Sequence, residues 1–226
     1  MARVSGTLTP QDELAAAASD LRYLLGRGYP RRRALELVGE RYQLPEQRRR
    51  LLQRGACAPA TARRRRARRL GAAELAGARV GIDGHNVLIT LESALTGRTL
   101  LLADDGWLRD IAELGRHHRP GQQTRRAARL MLDYLAGAGA AGVELYLDAP
   151  LPQSGELAAW LREEIARRGL AGGAWAVPVP EKPLAAHNGP VAGSDSVLID
   201  LVARPVDLAG LIITQLDPPP RVERLW

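Results

Sequence analysis

Aspartates recur where apolar runs stop. Asp83 follows Val80–Ile82 in GARVGIDGHNVLITLESAL, Asp104 and Asp105 follow LLLA, Asp148 follows VELYL, and Asp195 sits in GSDSVLID. A carboxylate in such a place can cap the helix after it; Asp105-Gly106 is also a turn dipeptide, and Ser194 is itself a cap candidate. Taken singly, each residue reads as a cap. Their joint placement argues for a site, because carboxylates gathered at one edge raise one another's pKa unless a cation stands among them. Oxygen donors without nearby cysteines select a hard ion, Mg²⁺ or Mn²⁺, over zinc. Such an ion activates a bound water and stabilises charge on a phosphoryl oxygen, so the chemistry expected of Asp83, Asp104, Asp105, Asp148 and Asp195 is phosphodiester hydrolysis.

These residues need strands that end together. Short apolar, β-leaning runs at Val80–Ile82, Thr99–Ala103, Val143–Leu147, Trp175–Val179 and Leu211–Thr214 alternate with helix-like segments at Val87–Leu95, Leu108–Leu114, Thr124–Leu135, Glu156–Arg168 and Ser196–Val202. The pattern predicts an α/β fold, three layers deep, with a mostly parallel five-stranded sheet and helices on both faces. In such a sheet the carboxyl ends of the strands share one edge, where ligands bind. The segment Val177–Gly193 holds four prolines and is expected to be a loop, placed to act as a lid.

Ahead of the sheet, Leu14, Ala18, Leu21 and Leu25 recur at helical spacing, Pro30 and Pro45 suit the starts of two further helices, and the three together make a module too small to stand alone. The chain divides into a basic helical domain at 10–56, an Arg-rich linker at 57–73, the α/β domain at 74–216 and an extended tail at 217–226. The first 72 residues hold 17 arginines against six carboxylates, whereas the rest is net acidic. This asymmetry points to an anionic partner. Arg48, Arg49 and Arg50 in the third helix, with Arg63, Arg64, Arg65, Arg66, Arg68 and Arg69 in the linker, are the candidate contacts to nucleic-acid phosphates; a merely solvated charge run is the alternative for the linker.

Other classes are excluded. There is no G-x-x-x-x-G-K-[ST], G-x-S-x-G, dinucleotide-binding G-x-G-x-x-G or H-E-x-x-H. A phosphate-accepting receiver domain would need a late-strand lysine, but the one lysine, Lys182, lies in the proline-rich segment. Cys57 is alone, which rules out an intramolecular disulfide and suits a reducing, cytoplasmic setting. No apolar run of about 18 residues exists, so no membrane partner is expected. Aromatics are 4% with no Phe, leaving few stacking platforms. The pair His117–His118 reads as a polar helix end, and His85 as either a turn residue or a contact to a scissile phosphate.

GIDGHNVL, an Asp at the end of the first strand followed by Gly and an Asn three positions on, resembles the opening of PIN-like and NYN-type metal-dependent nucleases. GSDSVLID resembles their late Ser/Thr-x-Asp element, with Ser194 here directly preceding Asp195. Longer phrases, DLRYLLGRGYPRRRALELVGERY and GHNVLITLESALTGRTLLLADDGWLRDI, resemble an uncharacterised prokaryotic family in which a short helical domain of unknown function precedes a PIN-like domain. The resemblance spans about Asp20 to Thr214 and implies a PIN-like, Rossmann-like sheet. It further implies that Asp83 is the first metal ligand, that Asn86 orients it, and that Ser194 and Asp195 complete the late part of the site. PIN-type enzymes commonly draw a middle acid from a helix, so Glu92, Asp110 and Asp133 compete with Asp104, Asp105 and Asp148 for that place.

Two functions are compatible with these residues. One is a divalent-metal-dependent nuclease acting on RNA, with Asp83, Asn86, Asp105, Asp148, Ser194 and Asp195 catalytic and the arginines holding the backbone. The other is a non-catalytic nucleic-acid binder or regulator that reads GERYQLPEQRRRLLQRG as a turn into a basic recognition helix. A homodimer is compatible with either.

Overall fold

The structure, a computed structural model, describes residues 9–111 and 119–225. The pair His117–His118 lies outside them.

The three N-terminal helices form where the periodicity requires. Helix α1 (Pro10–Gly26) opens on a capping box between Thr9 and Asp12 and buries Leu14, Ala17, Ala18 and Leu21. Gly28, at φ +84°, makes the turn into α2 (Arg31–Arg41), which follows Pro30; α3 (Glu46–Gly55) follows Pro45 and buries Leu51 and Leu52. Their apolar cluster is closed by Leu101, from the middle of the chain, and by Leu225, from its far end. The helical module therefore shares its core with the rest of the protein.

The Arg-rich stretch is a helix, α4 (Pro59–Arg68), docked rather than solvated. Arg65 is buried, Arg66 donates to the Asp104 carbonyl, Arg68 to that of Val202 and Arg69 to that of Gly106. Adjacent like charges are tolerated because the helix fans the side chains out to separate acceptors.

A 3-10 turn (Ala73–Leu75) leads into β1 (Arg79–Asp83), α5 (Gly84–Leu95), β2 (Leu100–Leu102), β3 (Leu108–Asp110) and α6 (Gln122–Gly137). Then come β4 (Gly142–Asp148), α7 (Ser154–Arg167), β5 (Ala171–Val177), α8 (Glu181–Ala185), β6 (Val191–Ala192), α9 (Ser196–Leu201), β7 (Pro205–Val206), α10 (Leu208–Ile213) and β8 (Val222–Arg224). Five strands make an all-parallel sheet in the order β5-β4-β1-β6-β7. Val80, Ile82, Leu145 and Ala192 face a large core with α5, α6, α7 and α10, while Val191 faces a smaller one formed by Leu184, Leu198 and Val202. Alternate residues of the strands thus feed two layers of helices.

Several expectations are corrected. The run Thr99–Ala103 is not in the parallel sheet: β2 belongs to a separate three-stranded sheet, paired antiparallel to β3 and parallel to β8. Leu108–Asp110, read as the start of a helix, is that hairpin's second strand, and residues 112–114 lie outside the described ones. The tail is anchored as β8. Leu211–Thr214, read as the fifth strand, falls in and just after α10, which Asp207 caps through the Gly210 N–H at 2.9 Å; a short apolar run does not distinguish a buried strand from a buried helical turn. The places of the runs Thr99–Ala103 and Leu211–Thr214 in the parallel sheet are taken by β6, inside the segment expected to be a loop, and by β7. The proline-rich segment is no lid, since α8 lies across the sheet face with Leu184 fully buried against Gly81. No helix among the described residues is long and apolar enough to cross a membrane.

Candidate functional site

The strand order fixes where a ligand would bind. From β1 the chain builds outward through β4 and β5 on one side, then returns to lay β6 and β7 on the other. The crevice beyond the carboxyl ends of β1 and β6 is the switch point of the sheet. Asp83 ends β1 there, and Gly193, Ser194 and Asp195 follow β6. Gly193 permits the close approach: a Cβ on it would stand 2.7 Å from Leu198 Cδ2 and 3.4 Å from Asp83 Cβ.

Both aspartates are caps as well as site residues. The Asp83 carboxylate accepts from the Asn86 N–H at 3.3 Å, and one oxygen of Asp195 accepts from Val197 N at 2.8 Å and Leu198 N at 3.2 Å. Capping uses a single oxygen of each and fixes the direction of the other. Asn86 acts differently from expectation. Its backbone steadies Asp83, but its side-chain oxygen accepts from the Ser194 N–H at 2.7 Å and the Ser194 hydroxyl at 2.9 Å. It therefore positions Ser194, stitching the start of α5 to the turn before α9. Asn86→Ala leaves the Ser194 amide without its acceptor, an expected loss of about 1–3 kcal/mol in urea unfolding; an unchanged midpoint would show that the stitch carries no energy.

Asp148, at the end of β4, joins them from the other side. Its N–H donates to His85 Nδ1 at 2.9 Å, and its Oδ2 lies 3.0 Å from the same nitrogen. Both contacts with Asp148 fall on Nδ1, which leaves Nε2 as the other polar atom of the ring. That nitrogen is buried and makes no hydrogen bond within the structure.

Electrostatics bind the group together. The Asp83 carboxyl is pushed up to about 8, first by burial and then by the charges of Asp148, Glu181 and Asp195, with only the Asn86 N–H opposing. Glu181, at the start of α8, was not singled out in the sequence; only an acid following a proline pair signalled it. Among the described residues no three His, Cys, Asp or Glu side chains form a ready group for a metal ion. The donor chemistry nevertheless fits Mg²⁺ or Mn²⁺, which are commonly held by one or two carboxylates with water or phosphate completing the shell. A carboxyl raised to about 8 chiefly by burial, and further by neighbouring acids, is one whose charge lacks a counter-ion.

Asp104 and Asp105 are not brought to this edge, because β2 is outside the parallel sheet. Asp104 takes two bonds from Arg22, at 2.8 and 2.7 Å, and one from the Cys57 N–H at 3.0 Å. Asp105 is bound by both Arg109 nitrogens at 2.8 Å and by Arg65 at 2.9 Å; burial works to raise its pKa, but Arg109 and then Arg65 hold it below the usual range. These arginines reach on to the site: Arg109 donates to the Ser194 carbonyl at 2.8 Å, and Arg65 to Asp200 and to Ser196. Asp105 is the hub of a buried network beneath the Ser194–Ser196 turn. The competing acids lie elsewhere: Glu92 accepts from Thr124, Asp110 from Ser93, and Asp133 from Arg168.

The expected phosphate contacts are mostly engaged internally. Arg48 stands 3.6 Å from Glu13, Arg49 donates to the Leu44 carbonyl, Arg50 pairs with Glu46 and Arg64 with Asp200; Arg63 is exposed.

Residues 13–68 match the protein of unknown function DUF434. An uncharacterised protein of Methanocaldococcus jannaschii is 30% identical over 183 residues, covering 81% of this chain and 87% of that one. No solved structure matches. Residues 72–211, from just before β1 to within α10, match the domain of unknown function DUF5616, and the chain belongs to that family.

Proposed function

We propose that the protein is a PIN-like, divalent-metal-dependent nuclease that hydrolyses phosphodiester bonds of RNA. The observation that carries the reading is Asp83: a carboxyl at the switch point of a parallel sheet, raised to about 8 first by its burial and then by the charges of Asp148, Glu181 and Asp195. The five-stranded parallel sheet with Asp83 at its switch point supports the PIN-like, Rossmann-like sheet that the resemblance implies. Mg²⁺ or Mn²⁺ held by Asp83 with Asp148 or Asp195 would supply an activated water and a counter-charge for the phosphoryl oxygens.

The chain's own residues supply position. Burial keeps Asp83 protonated near neutrality unless a positive charge arrives, so ionisation is coupled to loading of the site. The cap bonds to Val197 and Leu198 hold Asp195 in place. Asn86 and Arg109 fix Ser194 from two directions, through its amide, hydroxyl and carbonyl.

The helix-turn-helix alternative has less in its favour. Helix α3 packs on the β2 sheet, with Leu52 fully buried and Gly55 against Leu101 and Leu225, and its Arg54 donates to the Asp110 carbonyl at 2.8 Å. The nuclease reading is tested with single-stranded RNA in Mn²⁺. Cleavage by the wild type should fall about a hundredfold or more in Asp195→Asn. No cleavage by the wild type of single-stranded RNA, structured RNA or single-stranded DNA, in either Mn²⁺ or Mg²⁺, would end it.

A further inference from the structure

Between the N-terminal helices and the site lies a cleft of about 720 Å³, within the size range of small-ligand pockets. Its floor on the sheet side includes Asn86, Ser194 and Asp195. Its walls carry five guanidiniums, from Arg31, Arg54, Arg64, Arg65 and Arg109. Three carboxylates answer them: Asp105, Asp200 and Asp195. Asp105 and Asp200 account for Arg64, Arg65 and Arg109.

Arg31 and Arg54 are different. Each donates only to a backbone carbonyl, Arg31 to that of Gln53 and Arg54 to that of Asp110, and neither is paired with a carboxylate among the described residues. A guanidinium has five N–H donors, so each keeps most of its donors and its whole charge for something else. Arg31 is an exposed residue, yet the cleft walls partly desolvate its guanidinium, which with the nearby positive charges of Arg109 and Arg65 lies below its ordinary range, while Cys57 and Asp105 oppose. The cleft is thus short of negative charge. Tyr29 lines the same cleft and is 53% exposed, a ring left against solvent beside two uncancelled cations. Planar forks that bind oxyanions in pairs, next to an exposed aromatic face, match the two halves of a nucleotide.

We infer that this cleft is a nucleotide-binding site, in which Arg31 and Arg54 hold a phosphate and Tyr29 stacks on the base. Its phosphate would neighbour the one cleaved, a placement that rests on the nuclease reading; the binding itself does not. The helical domain is then a wall of the site, and the long arginine run of α4 mainly fastens that wall in place. The arginines that recognise the ligand are two that the charge run did not mark.

Binding is measured on the full chain in EDTA, where no cleavage occurs, with a 3′-fluorescent single-stranded RNA ten-mer and with AMP and inorganic phosphate as competitors. Arg31→Gln and Arg54→Gln should each weaken RNA binding about tenfold and lower the slope of log affinity against log salt by about one. The double variant Arg32→Gln/Arg33→Gln removes two charges from the exposed start of the same helix and should change affinity less than about twofold. Tyr29→Leu should weaken AMP competition while leaving inorganic phosphate unchanged. Thermal unfolding of each variant confirms that it is folded. Wild-type affinity in both Arg31→Gln and Arg54→Gln, an equal loss in the Arg32/Arg33 control, or failure of both AMP and phosphate to compete would overturn the inference. Retained RNA cleavage with an unchanged KM in Arg31→Gln would sink the cleft and spare the nuclease; RNA binding lost in these variants, with no cleavage by the wild type, would do the reverse.

Discussion

Asp83→Asn should make the metal-free protein more stable while removing its divalent-dependent activity. The sign comes from the raised carboxyl. In the unfolded chain an aspartate loses its proton near 3.9, whereas in the folded protein Asp83 holds it to about 8. Folding is therefore favoured below the first value, and that advantage is lost progressively as pH rises through the second. An asparagine never ionises and caps α5 as well as aspartate does, so the substitution removes the penalty without removing the cap. Each unit of difference is worth about 1.4 kcal/mol, which makes an effect of a few kcal/mol and a rise in Tm of roughly 5–10 °C at pH 8. The gain should shrink to nothing near pH 4 and level off above about 8. Millimolar Mn²⁺ should raise the wild-type Tm at pH 8 and leave that of Asp83→Asn unmoved, since a ligand stabilises only a fold that binds it. A variant less stable than the wild type at every pH would reduce Asp83 to a cap. So would an equal Mn²⁺ response in both proteins.

The sequence made this residue visible through its position after three apolar residues and before a glycine. Asp148, which also follows an apolar run, and Asp195, read at the start of the helix after the proline-rich segment, lie at the same edge because β1, β4 and β6 are neighbours in one parallel sheet. The same logic failed for Asp104 and Asp105, although LLLADD looks no different from VELYLD. Which sheet a strand joins depends on its partners, and β2 pairs with a hairpin strand and with the tail, more than a hundred residues away. Nothing local records that choice. Glu181 was hidden for a related reason, since only the path of α8 across the sheet face brings it to the carboxyl edge.

The arginine run was legible as charge but not as structure. Counting charges predicts repulsion; it does not show that acceptors wait at Asp104, Asp105, Asp200 and Val202, on elements distant in sequence. Conversely, Arg31, the first of the run Arg31–Arg33, and Arg54 stand out only within the cleft, where Arg64, Arg65 and Arg109 have carboxylate partners and these two have carbonyls. The useful question for a basic residue was which acid it lacks, and a sequence cannot answer that.

Asp105→Asn separates the two roles that a strand-end aspartate can have. The carboxylate is 1% exposed and sits between Arg65 and Arg109. Removing its charge leaves Arg109 buried with no carboxylate and Arg65 with Asp200 alone, so the expected loss is about 3–5 kcal/mol, near 10 °C in Tm. The loss should be present at neutral pH and fade in acid, because a carboxylate held below its ordinary range contributes stability only while it is ionised. The double variant Asp105→Leu/Arg109→Met takes out the stranded charge with its partner and should recover part of the stability. Cleavage should fall too, since Arg109 carries the Ser194 carbonyl, but the Mn²⁺ concentration giving half-maximal activity should stay where it is. A metal ligand would behave the other way round: stability kept or improved, and the Mn²⁺ requirement raised or lost. Mn²⁺-dependent stabilisation that survives in Asp105→Asn and vanishes in Asp83→Asn would assign the first residue to the scaffold and the second to the chemistry.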